Sequence, residues 1–213
     1  MSAFQLFPRA SIVLEFHLSP SHVPHVPGES SASELPFSLS GQLLLASPAL
    51  SDGTFDRAVI LIAEHSSTEG AIGTIINHCT PTSVGDILPD PAFSALHHLP
   101  VHHGGPVSTG ELSFSAFSWA NTKSLDYAPR ISAKHASELV ASGKHIVRAT
   151  VGHSGWSPGQ LEDELKRNTW ITLRPSAALF NHPHDLSLWT DLLKGISPYH
   201  HLLAEAPKNP FLN

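Results

Sequence analysis

The stretch RAVILIAE, residues 57–64, constrains this chain more than any other. Between Arg57 and Glu64 run six apolar residues with no polar position among them. A strand that alternates apolar and polar residues buries one face, whereas one that is apolar throughout must be covered on both. HSSTEG (65–70) then has turn composition, and AIGTIIN (71–77) is a second apolar run, so the two are expected to pair as a hairpin. GQLLLA (41–46) reads as a third short buried strand, joined to the hairpin by the turn-rich SPALSDGTFD (47–56).

A chain of 213 residues is long enough for one domain with a sizeable core and short for two. Hydrophobic residues make up 41% and charged residues 14%, which favours a folded domain over disorder. The uninterrupted apolar runs have strand length, well short of the roughly 18 residues that cross a membrane as a helix. One cysteine, Cys79, leaves no internal disulfide and points to a reducing compartment. Cys79 itself is expected to be a small buried hydrophobe. The formal net charge of −6 disfavours direct nucleic-acid binding. Protonating all 16 histidines would carry that charge from −6 to +10, so the charge state depends strongly on pH between mild acid and neutrality.

Along the chain, residues 1–40 are rich in Ser, Pro and His and read as a flexible leader, with an element of unassigned type over 4–17. Short helical pieces are expected at 82–88 and 91–96, and strands at 99–107, ending in a Gly-Gly-Pro turn, and at 111–117. Ser132 caps a helix over 133–142 that stops at Gly143, and 145–152 is a strand. Ser157, Pro158 and Gln160 have the spacing of a capping box, with Asp and Glu early and Lys166 and Arg167 late in the helix that follows. Asn168 ends it, and 169–174 is a strand. A last helix spans 185–194 behind Asp185, and 198–213 reads as a tail.

GHSGW (152–156) invites a nucleophile-elbow reading, but G-x-S-x-G needs a small residue where Trp156 stands. Trp156 is instead expected to be a packing anchor whose indole N–H seeks an acceptor. No phosphate-loop glycine pattern is present, and the acids inside the helix oppose phosphate at its start. The histidine pairs 97/98, 102/103, 182/184 and 200/201 raise a metal reading, but adjacent strand residues face opposite ways and no H-E-x-x-H occurs. A polar group at the hairpin ends, Arg57, Glu64, His65 and Asn77, is the remaining candidate. It serves either to tie down loops or to bind a ligand. A hydrolase or transferase using His65 as base and Glu64 to orient it is the enzymatic alternative.

Four blocks, GQLLLASPALSDGTFDRAVILIAEH, GAIGTIIN, GGPV and GHSGWSPGQLEDELKRNTW, together resemble the YqgE/AlgH family over about Gly41 to Ser197. The resemblance implies a bacterial cytoplasmic protein with a single α+β domain over 41–197, its sheet coiled and mostly antiparallel with a few flanking helices. It implies no reaction; the family's transcriptional-regulator label rests on indirect association. His153 and Cys79-Thr80-Pro81 depart from the family pattern. The expectation is a non-enzymatic binding or regulatory domain acting through a protein partner or small molecule. Its candidate binding residues are Arg57, Glu64, His65, Asn77, Trp156 and Gln160, and no catalytic residue, metal ligand or cofactor is assigned.

Overall fold

A computed structural model describes residues 38–121, 124–176, 179, 183 and 185–206. The leader reading for 1–37 and the His182/His184 pair lie outside these residues, as does 207–213. The apolar run becomes β2 (Val59–Ser66), with Val59 to Ile62 wholly buried. It pairs antiparallel with β3 (Gly70–Ile75) from Ile60 opposite Ile75 to Ser66 opposite Gly70. β1 (Leu43–Ala46) lies against the other edge of β2, and β9 (Trp170–Leu173) lies outside β1, both antiparallel. Successive residues of β2 point to opposite faces of the sheet and are all buried from Val59 to Ile62, as its composition demands.

The other half of the sheet is β4 (Cys79–Ser83), β5 (Pro100–His103), β6 (Val107–Asn121), β7 (Ser124–Ile131) and β8 (Ile146–Trp156). β8 is the pivot: it pairs antiparallel with β3 and β6 and parallel with β5. The nine strands curl into a half-barrel flanked by α1 (Val84–Ile87), α2 (Ala133–Ser142), α3 (Gln160–Lys166), α4 (Leu186–Lys194) and α5 (Pro198–Glu205). The architecture is a single α+β domain with a coiled, mostly antiparallel sheet, as expected. One apolar cluster joins β1–β3 to Leu161 of α3 and to Leu188, Trp189 and Leu193 of α4. A second joins Val101, Phe114, Val147 and Ala149 to α1 and Ala136 of α2. Among the described residues, no helix is long and apolar enough to cross a membrane.

Several local expectations are corrected. The strand expected to end at Gly152 continues to Trp156, so GHSGW is the end of β8, with Gly155 paired to Ile72. The next helix begins at Gln160 rather than at Ser157, because Gly159 adopts φ 77, a left-handed angle a helix interior cannot hold. The Ser157 N–H nevertheless donates to Gln160 Oε1 at 3.1 Å, the backbone half of the expected capping box. Residues 79–83 form β4 and the helical piece shrinks to Val84–Ile87. β6 runs on to Asn121, and β7 was not anticipated. Pro129 hides β7 from sequence reading, yet β7 pairs only with β6, and an edge strand tolerates proline. Within the stretch read as a tail, Ser197 caps α5 through the His200 N–H, and Lys194 reaches Glu205 at 3.0 Å.

The glycines set how closely the strands approach. Gly70 has φ 90, and a Cβ there would run into the Trp156 carbonyl. Gly110, in β6, has nothing within 4 Å of an added Cβ. Gly70→Ala is therefore expected to destabilise the fold by about 2–4 kcal/mol in urea unfolding. Gly110→Ala should change stability by less than ~0.5 kcal/mol.

Candidate functional site

The candidate polar group does not converge. Arg57 and Asn77 lie at one end of the hairpin and Glu64 and His65 at the other. Arg57 precedes β2, and the six steps of strand from Val59 to His65, roughly 20 Å, hold it away from His65. Asn77 is wholly buried: its Nδ2 donates to the Arg57 carbonyl at 2.8 Å and its Oδ1 accepts the Val59 N–H at 2.8 Å. It closes the mouth of the hairpin where the backbone ladder ends. Arg57 takes φ 53 to offer that carbonyl, and its guanidinium lies 5.5 Å from the centre of the Trp189 ring.

His65 is a clamp. Its side chain is 1% exposed, with Nε2 3.0 Å from Glu162 Oε1. The Leu39 N–H donates to Nδ1 at 3.2 Å, the His65 N–H donates to Ser40 Oγ, and Ser38 Oγ donates to the His65 carbonyl. An amide can only donate, so Nδ1 accepts and the ring proton sits on Nε2, facing Glu162. Neither ring nitrogen is left for a substrate. Glu64 is exposed and acts on Tyr127, whose phenol burial pushes up to about 12. The expected Glu64–His65 pairing is thus corrected: the two side chains serve different surroundings, and the carboxylate on His65 comes from α3.

Trp156 and Gln160 are brought together by Glu164, a residue the sequence did not single out. Glu164 Oε2 accepts both the Trp156 and Trp170 indole N–H groups, at 2.8 and 2.7 Å, and Oε1 accepts Gln160 Nε2 at 2.9 Å. The two indoles meet edge to face at 6.1 Å, and Phe55 meets Trp170 at 5.5 Å. Trp156 is therefore the packing anchor expected of it. Bonds from a neutral donor to a charged acceptor are each worth about 1.5–3 kcal/mol, so this hub outweighs the exposed Lys166–Asp163 pair beside it. The spacing of Trp156, Glu164 and Trp170 carries no period that marks them as partners. Ser154 is wholly buried and donates to the Gly104 carbonyl at 3.2 Å, out of reach of any substrate.

An open concave surface among the described residues lies elsewhere. A cleft of about 490 Å³ is lined by Gly53, Thr54, His78, His103, Pro106 and Thr109. The Asp52 carboxylate accepts the Thr54 and Phe55 N–H groups and shapes one wall. The His103 N–H donates to the His78 carbonyl at 2.8 Å, which sets the two histidines side by side. His78 Nε2 donates to the Asp56 carbonyl at 3.1 Å. Burial holds His78 below the ordinary histidine range; the Asp56 bond opposes this and nearby His103 adds to it. The sequence offered only His103 beside Gly-Gly-Pro; His78 lies 25 positions upstream, and no local pattern marks the two as neighbours. Among the described residues, no three His, Cys, Asp or Glu side chains converge as a metal-binding group. Cys79, expected to be buried, is exposed on edge strand β4.

A family model described as AlgH-like matches residues 43–199. A UPF0301 protein of Streptomyces coelicolor is 34% identical over 187 residues, covering 83% of this chain and 96% of its own. One from Bacteroides thetaiotaomicron is 28% identical over 81% of this chain and 90% of its own. The solution structure of the AlgH protein from Pseudomonas aeruginosa superposes with TM-score 0.56 and 26% identity, covering 85% of this chain and 99% of that one. A Corynebacterium diphtheriae crystal structure, at 18% identity and TM-score 0.61 over 83% and 95%, shares the fold.

Glu164→Gln leaves the geometry but removes the charge that both indoles share, and should cost about 1–3 kcal/mol with a change in tryptophan emission. His78 gives a pH prediction. Its folded-state pKa lies below the unfolded value, so the unfolded chain binds more protons below about pH 6.5 and stability falls on acidification. His153, also held low by burial, acts in the same direction. In urea titrations between pH 7.5 and 5.5, His78→Gln should flatten this loss; an unchanged slope would count against the assignment.

Proposed function

The chain belongs to the AlgH-like family, and on that premise we propose that it is a non-enzymatic binding domain that takes a small molecule in the cleft between Thr54, His78, His103 and Thr109. One observation carries this reading. The side chains with chemical potential at the hairpin and at the GHSGW strand are committed to the scaffold: Asn77 and Ser154 to backbone, His65 to Glu162 and Leu39, and Trp156 to Glu164. The cleft instead presents imidazoles and hydroxyls at an open surface, which is how binding sites combine shape with a few placed polar groups. In this reading the protein regulates in the cytoplasm by responding to its ligand and passing the change to a protein partner. With a net charge of −6, it does so without direct DNA contact.

A screen of isotope-labelled protein against a panel of small metabolites tests this. Amide shifts should cluster at residues 53, 54, 78, 103 and 109. Saturable shifts confined to the Trp156–Trp170 hub or to α4 and α5 would overturn it.

A further inference from the structure

We propose that this cleft binds a phosphate-type oxyanion, free or as the phosphate group of a small metabolite, with the His78 and His103 imidazoles among its donors. This rests on the cleft being the binding site. No lining residue carries a carboxylate, the Asp52 carboxylate beside the wall being engaged by the Thr54 and Phe55 N–H groups: the polar side chains of the lining are two imidazoles and the hydroxyls of Thr54 and Thr109. A hard cation needs several oxygen ligands with negative charge among them, and zinc needs three or four protein ligands, so neither suits two imidazoles alone. An oxyanion suits a wall of donors. Those donors come from four separate segments, the 51–55 turn, the residue before β4, the end of β5 and the start of β6, and meet at one concave surface. Room is available at Gly53, where an added Cβ would meet nothing within 4 Å.

The proton arrangement makes the site responsive. His78 Nε2 holds its proton on the Asp56 carbonyl, so Nδ1 is the nitrogen that takes up a second proton and becomes a new donor. The groups that act on His78 are Asp56, which favours its charge, and His103, which opposes it. On neighbouring β8, Arg130 and Glu111 act on His153. Nearby His103 opposes charge on His78, and an oxyanion bound beside the two imidazoles offsets that cost. Binding is therefore coupled to proton uptake, and each favours the other.

Sulfate is the probe of choice, because its charge stays constant between pH 6 and 8. The imidazole signals of His78 and His103 are followed by NMR during a sulfate titration, with chloride at matched ionic strength as control. Saturable shifts at both rings, with affinity rising at least about 10-fold from pH 8 to pH 6, are expected. His103→Gln and, separately, His78→Gln should each abolish them, with the amide spectrum elsewhere showing that each variant is folded. Ribose 5-phosphate binding more tightly than sulfate would assign the site to an esterified metabolite, and equal affinity to the free anion; both support the proposal. Equal sulfate affinity at the two pH values, or binding retained in both variants, overturns it. Uncharged ribose shifting the same rings while sulfate does not would keep the cleft as a binding site and overturn the oxyanion. Silence of every probe at both histidines also overturns the oxyanion, while metabolite shifts at residues 53, 54 and 109 decide the cleft separately.

Discussion

Three residue pairs between β3 and β8 join the two halves of this protein: Ala71 with Trp156, Ile72 with Gly155 and Gly73 with Ser154. On one side of that seam lies the cluster around β1–β3, on the other the cluster around β5, β6 and β8. The seam forms only because backbones come very close. Gly104 and Gly105 lie against Gly152 and His153, and Gly70 lies against the Trp156 carbonyl, at distances where no Cβ fits. The Gly104 carbonyl accepts from both the Ile75 N–H and Ser154 Oγ, and its N–H donates to the Val151 carbonyl. The same glycine turn carries Pro106 into one wall of the cleft. Closing the sheet and shaping the concave surface are therefore consequences of one constraint.

That constraint also explains where polar chemistry is absorbed. Side chains close to the seam and the hairpin mouth have unpaired backbone groups to satisfy, and leaving a buried donor or acceptor without a partner costs about 1–3 kcal/mol. Asn77 and His65 meet that need, and the Gly104 carbonyl in turn gives the buried Ser154 hydroxyl its partner. Glu164 does the same for two indoles that packing alone would leave with buried N–H groups. His78 and His103, at strand ends, border open space instead.

Much of the fold was legible from residue order. The hairpin, β1, α2 and α4 follow from apolar runs, caps and stops that act within a few residues. β7 and β4 were not legible, because proline and polar residues suit an edge strand whose place is decided by its neighbours. The helix at α3 was recognised but begins late, since Gly159 re-aims the chain after Trp156 has been held in β8. Of the candidate site residues, the Trp156–Gln160 grouping was legible as a local unit, but its centre, Glu164, was not.

The sequence by itself determined that residues 57–77 form a doubly covered hairpin, where the chain turns, and that the GHSGW serine lacks an elbow's flanking glycine, because those properties depend on neighbours a few positions away. Only the tertiary structure decided that Glu64 and His65 act apart, that Glu162 reaches His65, and that His78 stands beside His103. Those pairings join segments tens of residues apart, and their geometry is set by sheet register and glycine-permitted backbone contact, neither of which is written in the local order of residues.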